Sequence, residues 1–448
     1  MLSSATRRAL RGLLLGFGAS TITITTVRGQ QPRMMPDPLG VPMDRMGSGT
    51  TWIPDAVSMP SRHYMAGAWD LMLHGFIFVQ ENNQGGPRGA SQFGSLNWGM
   101  FMASHELAGG RFQSRTMLSL DAAGVTPRGY PLLLQSGETY KGAAIHDRQH
   151  PHDLLMELGV LYERPLTHSV GITLYGAPSG EPALGPVAFM HRPSAMDMPT
   201  APIGHHWQDA THISFGVVTA GLFGNRWKLE GSAFNGREPD DNRWNIDPIR
   251  LDSYSGRLTV NPTEHWSLTG GYGYLKSPEA LNPSESVHRV TVSALHGAKI
   301  GADGQWSSSL VWGANKVPGQ SLTHSVLGES EAILDAHNTV LVRAEFVQKS
   351  AGDLTLDTPP LSLPADQRFD VRNTSLGYIR ELARWQGTTI GLGVVGTINV
   401  VPSALESTYG SRTPLGGLIF LRLRPAYGKR GGSMAGMKMD MPAGGRFQ

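Results

Sequence analysis

The chain contains no cysteine, only 17% of its residues are charged, and it has no apolar run long enough to cross a bilayer as a helix. The first absence excludes thiol catalysis, thiolate metal sites and a disulfide framework. The last excludes membrane helices, although it leaves open a membrane crossed by strands. A formal net charge of +2 over 448 residues gives no reason to expect nucleic acid as a partner. Amphipathic helical stretches that would cover a soluble sheet are also scarce.

What is present is alternation. In the stretch 226–234, Arg226, Lys228, Glu230 and Ser232 alternate with Trp227, Leu229, Gly231 and Ala233, so an extended chain carries one polar and one apolar face. Residues 153–163 and 339–349 repeat the pattern. About sixteen such segments run from Trp69 to Pro425, and an even number is what single-chain bacterial barrels require. Short connections alternate with long ones: 108–109, 165–168, 223–224 and 385–386 are short, whereas 81–96, 121–152, 177–211 and 351–371 are long. Short turns on one side and long loops on the other belong to outer-membrane barrels. The expected fold is therefore all-β, a transmembrane antiparallel β-barrel of about 16 strands, greasy outside and wet inside, with long extracellular loops, disordered Met-rich termini and both termini periplasmic.

The division read from the chain is a signal peptide over 1–29, a flexible Met/Pro/Gly-rich segment over 30–66, the barrel over 67–425 and a Met/Gly-rich periplasmic tail over 426–448. Arg7, Arg8 and Arg11 precede a short apolar core, as in exported proteins. Gly47–Trp52 is the part of the N-terminal segment expected to be ordered.

A barrel of this size leaves room for water, so transport of small polar solutes or metal ions is the leading reading. The residues expected to line the pore are Arg111, Arg115, Glu157, Arg226, Lys228, Glu230, Arg257, Arg289, Glu329, Glu331, Arg343, Glu345, Arg422 and Arg424. Outer-membrane lipid is the expected partner, and a homo-oligomer is compatible with the architecture. No Gly-x-Ser-x-Gly elbow is present, and the chain is not expected to be an enzyme.

Two loops carry metal-ligand chemistry. His146, Asp147, His150, His152 and Asp153 fall within eight residues, a density of N and O donors suited to zinc, nickel or Cu(II). The rival account is a plug, a loop folded into the lumen that spends the same groups on wall side chains. Met190, His191, Met196, Met198, His205, His206, Asp209 and His212 follow in the next long loop, where thioether and imidazole together favour copper. Copper or zinc is thus the candidate cofactor, and a metal-holding barrel with a plugged lumen is the alternative function.

Gly47-Ser48-Gly49-Thr50-Thr51-Trp52, the block His146 to Asp153 and the closing Leu421-Arg422-Leu423-Arg424-Pro425 resemble segments of porin-like outer-membrane β-barrel proteins of Gram-negative bacteria. The resemblance runs from about residue 47 to 425. It implies a porin-like architecture and a link with copper or heavy-metal handling.

Overall fold

The computed structural model describes residues 37–427. The expected signal peptide, residues 30–36 and residues 428–448 of the tail lie outside them. Sixteen strands close into one antiparallel barrel. In chain order they are β1 (Trp69–Gln84), β2 (Ser91–Leu107), β3 (Gly110–Leu118), β4 (Leu155–Pro165), β5 (Gly171–Gly180), β6 (Ser214–Phe223), β7 (Trp227–Phe234) and β8 (Ser253–Thr263). The second half is β9 (Trp266–Lys276), β10 (Ser286–Ile300), β11 (Gly304–Lys316), β12 (Thr323–Ile333), β13 (Asn338–Ser350), β14 (Arg368–Trp385), β15 (Thr388–Val400) and β16 (Leu415–Pro425). Every strand pairs with its chain neighbours, and β16 closes on β1 through Ile77↔Leu423 to Gln84↔Gly416. The ladder of the wall thereby closes on itself, the condition for spanning lipid with strands.

The side-chain period of two sorts the wall into faces. On β7, Lys228, Glu230 and Ser232 are buried inside while Trp227 and Leu229 are exposed outside. Leu258, Val292, Leu310, Leu376 and Ile419 continue the apolar exterior. Trp266, Trp306, Tyr378 and Trp385 are exposed close to the short turns, and Tyr254 and Tyr272 close to the long loops, forming the two aromatic girdles of a membrane barrel. On β14, Arg380 faces outward and bonds Asn338, whereas Glu381 turns inward to Arg422 and Arg424.

Three expectations need correction. Residues 37–66 are not a flexible segment. Val41, Met46, Trp52, Ile53 and Val57 are buried within the barrel, and Arg62–Ala66 is a short strand paired with Leu73–Trp69 on the part of the β1 edge that β16 leaves unpaired. The loop expected over 81–96 shrinks to 85–90 because β1 and β2 run past the wall as a hairpin. Finally, the interior is not simply wet. The inner face of β1 and β2 carries Met72, Phe76, Phe78, Trp98, Met100 and Met102, all buried, and these pack against Phe189, Met190, Met196 and Met198 of the long loop between β5 and β6.

That loop, residues 181–213, folds into the lumen. Two wall glycines permit the approach: a Cβ on Gly313 would stand 2.1 Å from the Trp207 carbonyl oxygen, and one on Gly273 would stand 2.6 Å from a Leu184 methyl.

Candidate functional site: a filled lumen and an imidazole cleft

The inward charges expected to line a pore are held by the segments that fill it. Arg115 donates to the Gly49 carbonyl, Lys228 to the Thr50 carbonyl, and Arg257 to Thr50 Oγ1 at 2.7 Å. Arg111 reaches the Val41 carbonyl and pairs with Glu163 at 2.6 Å. Lys228 also lies over the Trp52 ring, 4.8 Å from its centre. On the other side of the lumen Arg192 bridges Glu329 and Asp209, Arg343 pairs with Glu329 at 3.1 Å, and Asp197 takes Arg422 at 2.8 Å and Arg424 at 3.2 Å. Glu345 accepts the Gly204 N–H, Glu331 accepts the Asp197 N–H, Arg289 donates to the His206 carbonyl, Glu230 pairs with Arg257, and Glu157 accepts the Tyr175 hydroxyl. These inner-face groups are buried. Burying so many ions costs stability unless each is paired or hydrogen-bonded, and here the partners come from the plug and from neighbouring wall strands together. Arg226 departs from the expectation: it sits exposed in the turn before β7 and donates to the Asn261 carbonyl.

The His146–Asp153 block divides into two halves. Asp147 behaves as a plug residue, accepting from Arg88 at 2.5 Å, from the Leu134 N–H at 2.8 Å and from the Tyr409 hydroxyl at 3.2 Å, with His146 beside it at 2.9 Å. Beyond it, His150, His152 and Asp153 turn towards His205, His206 and His212 of the second loop, and all six border one cleft together with Glu238.

Within that cleft every imidazole has its Nδ1 engaged. His152 meets Asp121 at 2.7 Å, His205 meets Asp209 at 2.6 Å, and His206 meets Glu238 at 2.7 Å. His150 and His212 place Nδ1 on backbone carbonyls, of Pro151 and Asp209. Such carboxylate and carbonyl partners fix the orientation of a ring. The ring of His212 lies 5.1 Å from that of His205 and 5.5 Å from that of His152. Burial holds the His212 imidazole well below its ordinary range, with His205 and His152 adding to the effect, so it is neutral and able to coordinate. Burial also pushes Asp153 up to about 6, against the pull of Arg243.

Deeper in, the donors change. The His191 ring lies tilted against His74 of β1 at 5.1 Å and Trp98 at 4.7 Å, and His74 Nε2 lies 3.2 Å from Met100 Sδ. Met117, Met156, Met190, His191 and His212 border a small cavity, while Met196 and Met198 line the next one with Phe78 and Trp98. His74, Met100, Met117 and Met156 were missed by sequence reasoning. The one available signal was the inward parity of His74 and Met100 on strands whose inner face is otherwise largely apolar; Met117 shares its face with Arg111 and Arg115, and Met156 sits beside inward Glu157 at a register shift. Carboxylates Glu238 and Glu279 were missed as well, and their place beside His206 rests on folding of distant loops.

The strands, the apolar band and the girdles define a membrane β-barrel whose lumen is occupied by its own chain. Among solved structures it is similar to OmpF of Salmonella typhi in complex with daunomycin, at 9% identity and a TM-score of 0.49, covering 81% of this chain and 100% of that one. The anion-selective porin of Comamonas acidovorans is similar at 12% identity and TM-score 0.48, with 80% and 100% covered, as is the high-pH structure of Pseudomonas putida OprB at 12% and 0.48, with 80% and 94% covered. No family model and no curated protein matches the chain.

Proposed function

We propose that the protein is an outer-membrane passage of the porin-like class, with its turns and both termini on the periplasmic side. It serves small polar solutes or metal ions and is closed in this state by residues 41–57 and 181–213. The observation that carries this reading is the occupation of the lumen by these two segments. Both segments are long, lack regular structure over most of their length, and are fixed by side-chain packing, ion pairs and single hydrogen bonds rather than by a continuous sheet, so either can leave the lumen without unmaking the wall. A second reading is favoured by the imidazole cleft: a copper- or zinc-holding barrel that stays plugged.

Planar-bilayer recording of the purified full-length chain separates them. The native protein gives little steady current, and Lys228→Met, which loosens the N-terminal segment, raises the open fraction several-fold. A native chain that conducts steadily like an open pore overturns the closed state. Silence in the native chain and the variant alike, with stoichiometric copper or zinc binding, selects the second reading.

A further inference from the structure

At the loop end of the barrel three side chains from three separate connections converge. His206 comes from the 181–213 loop, Glu238 from the 235–252 loop and Glu279 from the 277–285 loop. One ring nitrogen of His206 and one carboxylate oxygen of each glutamate all lie within 4.8 Å of one another. We infer that this trio is a binding site for a borderline divalent transition-metal cation of the Zn2+ class, standing at the entrance to the imidazole cleft.

The arrangement is braced rather than accidental. The His206 carbonyl accepts from Arg289 at 2.5 Å and from Asn315 at 2.9 Å, which fixes the ligand to β10 and β11. The Glu238 N–H donates to the Pro278 carbonyl at 3.1 Å and so ties the two glutamate loops together. Two carboxylates brought this close repel unless they share a proton or a cation. With metal–ligand bonds of about 2.0–2.1 Å, a tetrahedral site needs ligand atoms roughly 3.3 Å apart, so side-chain rotation of an ångström or so closes the trio on an ion. Arg289 behind the His206 carbonyl lowers the affinity without blocking the position.

The donor set chooses the ion. One imidazole with two carboxylates suits zinc, nickel or cobalt, whereas calcium and magnesium call for oxygen alone and Cu(I) for sulfur. Access is through a cavity of about 240 Å3 bordered by Glu238, Glu279 and His150. On its inner side the cleft of His152, His205 and His212 shares His206 and Glu238 with the site. Donors therefore pass from carboxylate and imidazole at the mouth to imidazole and then to thioether within.

The inference does not depend on whether the barrel conducts, because its test is equilibrium binding. Zn2+ would be titrated calorimetrically into the full-length chain in detergent, alongside Glu238→Gln and Glu279→Gln, with heat-modifiable gel migration to confirm folding. The native chain binds with each variant weakened tenfold or more, a hundredfold excess of Ca2+ does not compete, and His146→Ala changes nothing. X-ray absorption at the zinc edge shows nitrogen and oxygen neighbours and no sulfur. Native-like Zn2+ affinity in both glutamine variants, equal competition by Ca2+, or the absence of binding by the native chain overturns it.

Discussion

Between residues 41 and 57 the barrel wall reaches mainly for backbone: Arg111, Arg115 and Lys228 end on carbonyl oxygens, Asn261 bonds the Ile53 carbonyl at 3.0 Å, and Ser267 bonds the Trp52 carbonyl at 3.0 Å. Between residues 181 and 213 the wall also takes backbone, at Thr200, Gly204 and His206, but it adds ion pairs to the buried side chains of Arg192 and Asp197. A grip on carbonyls tolerates changes of plug side chain. A grip on buried ions does not, because each deleted partner leaves a desolvated charge behind.

The largest consequence falls at Asp197, which is buried beside both Arg422 and Arg424. Asp197→Ala leaves two guanidiniums with Glu381 as the remaining strong partner, and the expected loss is about 3–5 kcal/mol. Urea unfolding in detergent micelles, followed by gel migration, reads it. A loss under about 1 kcal/mol would erase the distinction between the two grips.

A smaller effect is expected where backbone is held. Lys228→Met removes the donor to the Thr50 carbonyl and the cation over Trp52 while keeping much of the buried stem. The cost of one unsatisfied buried carbonyl is about 1–3 kcal/mol. The same substitution is expected to speed proteolytic cleavage within 41–57 while leaving 181–213 protected. Equal exposure of both segments would mean that they open as one body.

Legibility in the sequence divides along similar lines. Strand parity was readable in Lys228, Glu230, Arg343 and Glu345 because a period of two writes the wall residue by residue. Phe76 and Phe78 blurred it, since their strand faces packed plug rather than water. The inward charges were legible but their partners were not: Asp197 lies far along the chain from Arg422, and nothing local encodes that meeting. The same holds for the imidazole cleft. His150, His152, His205, His206 and His212 stood out by type, whereas Glu238 and Glu279 looked like ordinary loop acids. The flexible reading of 30–66 failed over its described part, 37–66, because Pro, Met and Gly suit a chain threaded through a lumen as well as they suit a loose one.

The smallest expected effect tests whether burial, rather than charge itself, sets these magnitudes. Arg237 and Asp252 make a two-pronged pair at 2.9 and 3.0 Å, a better geometry than several of the lumen pairs. Their side chains keep 22% and 31% of their exposure, and Arg237 holds the Asp252 carboxyl below its usual range. Solvent screening reduces such a pair to below about 1 kcal/mol, and less at high salt. Arg237→Ala is therefore expected to shift the urea midpoint only slightly, with the shift vanishing in 1 M salt by the Debye length of about 3 Å there. A salt-insensitive loss as large as that of Asp197→Ala would show that pairing geometry, and not removal from water, makes the charges of this barrel costly to disturb.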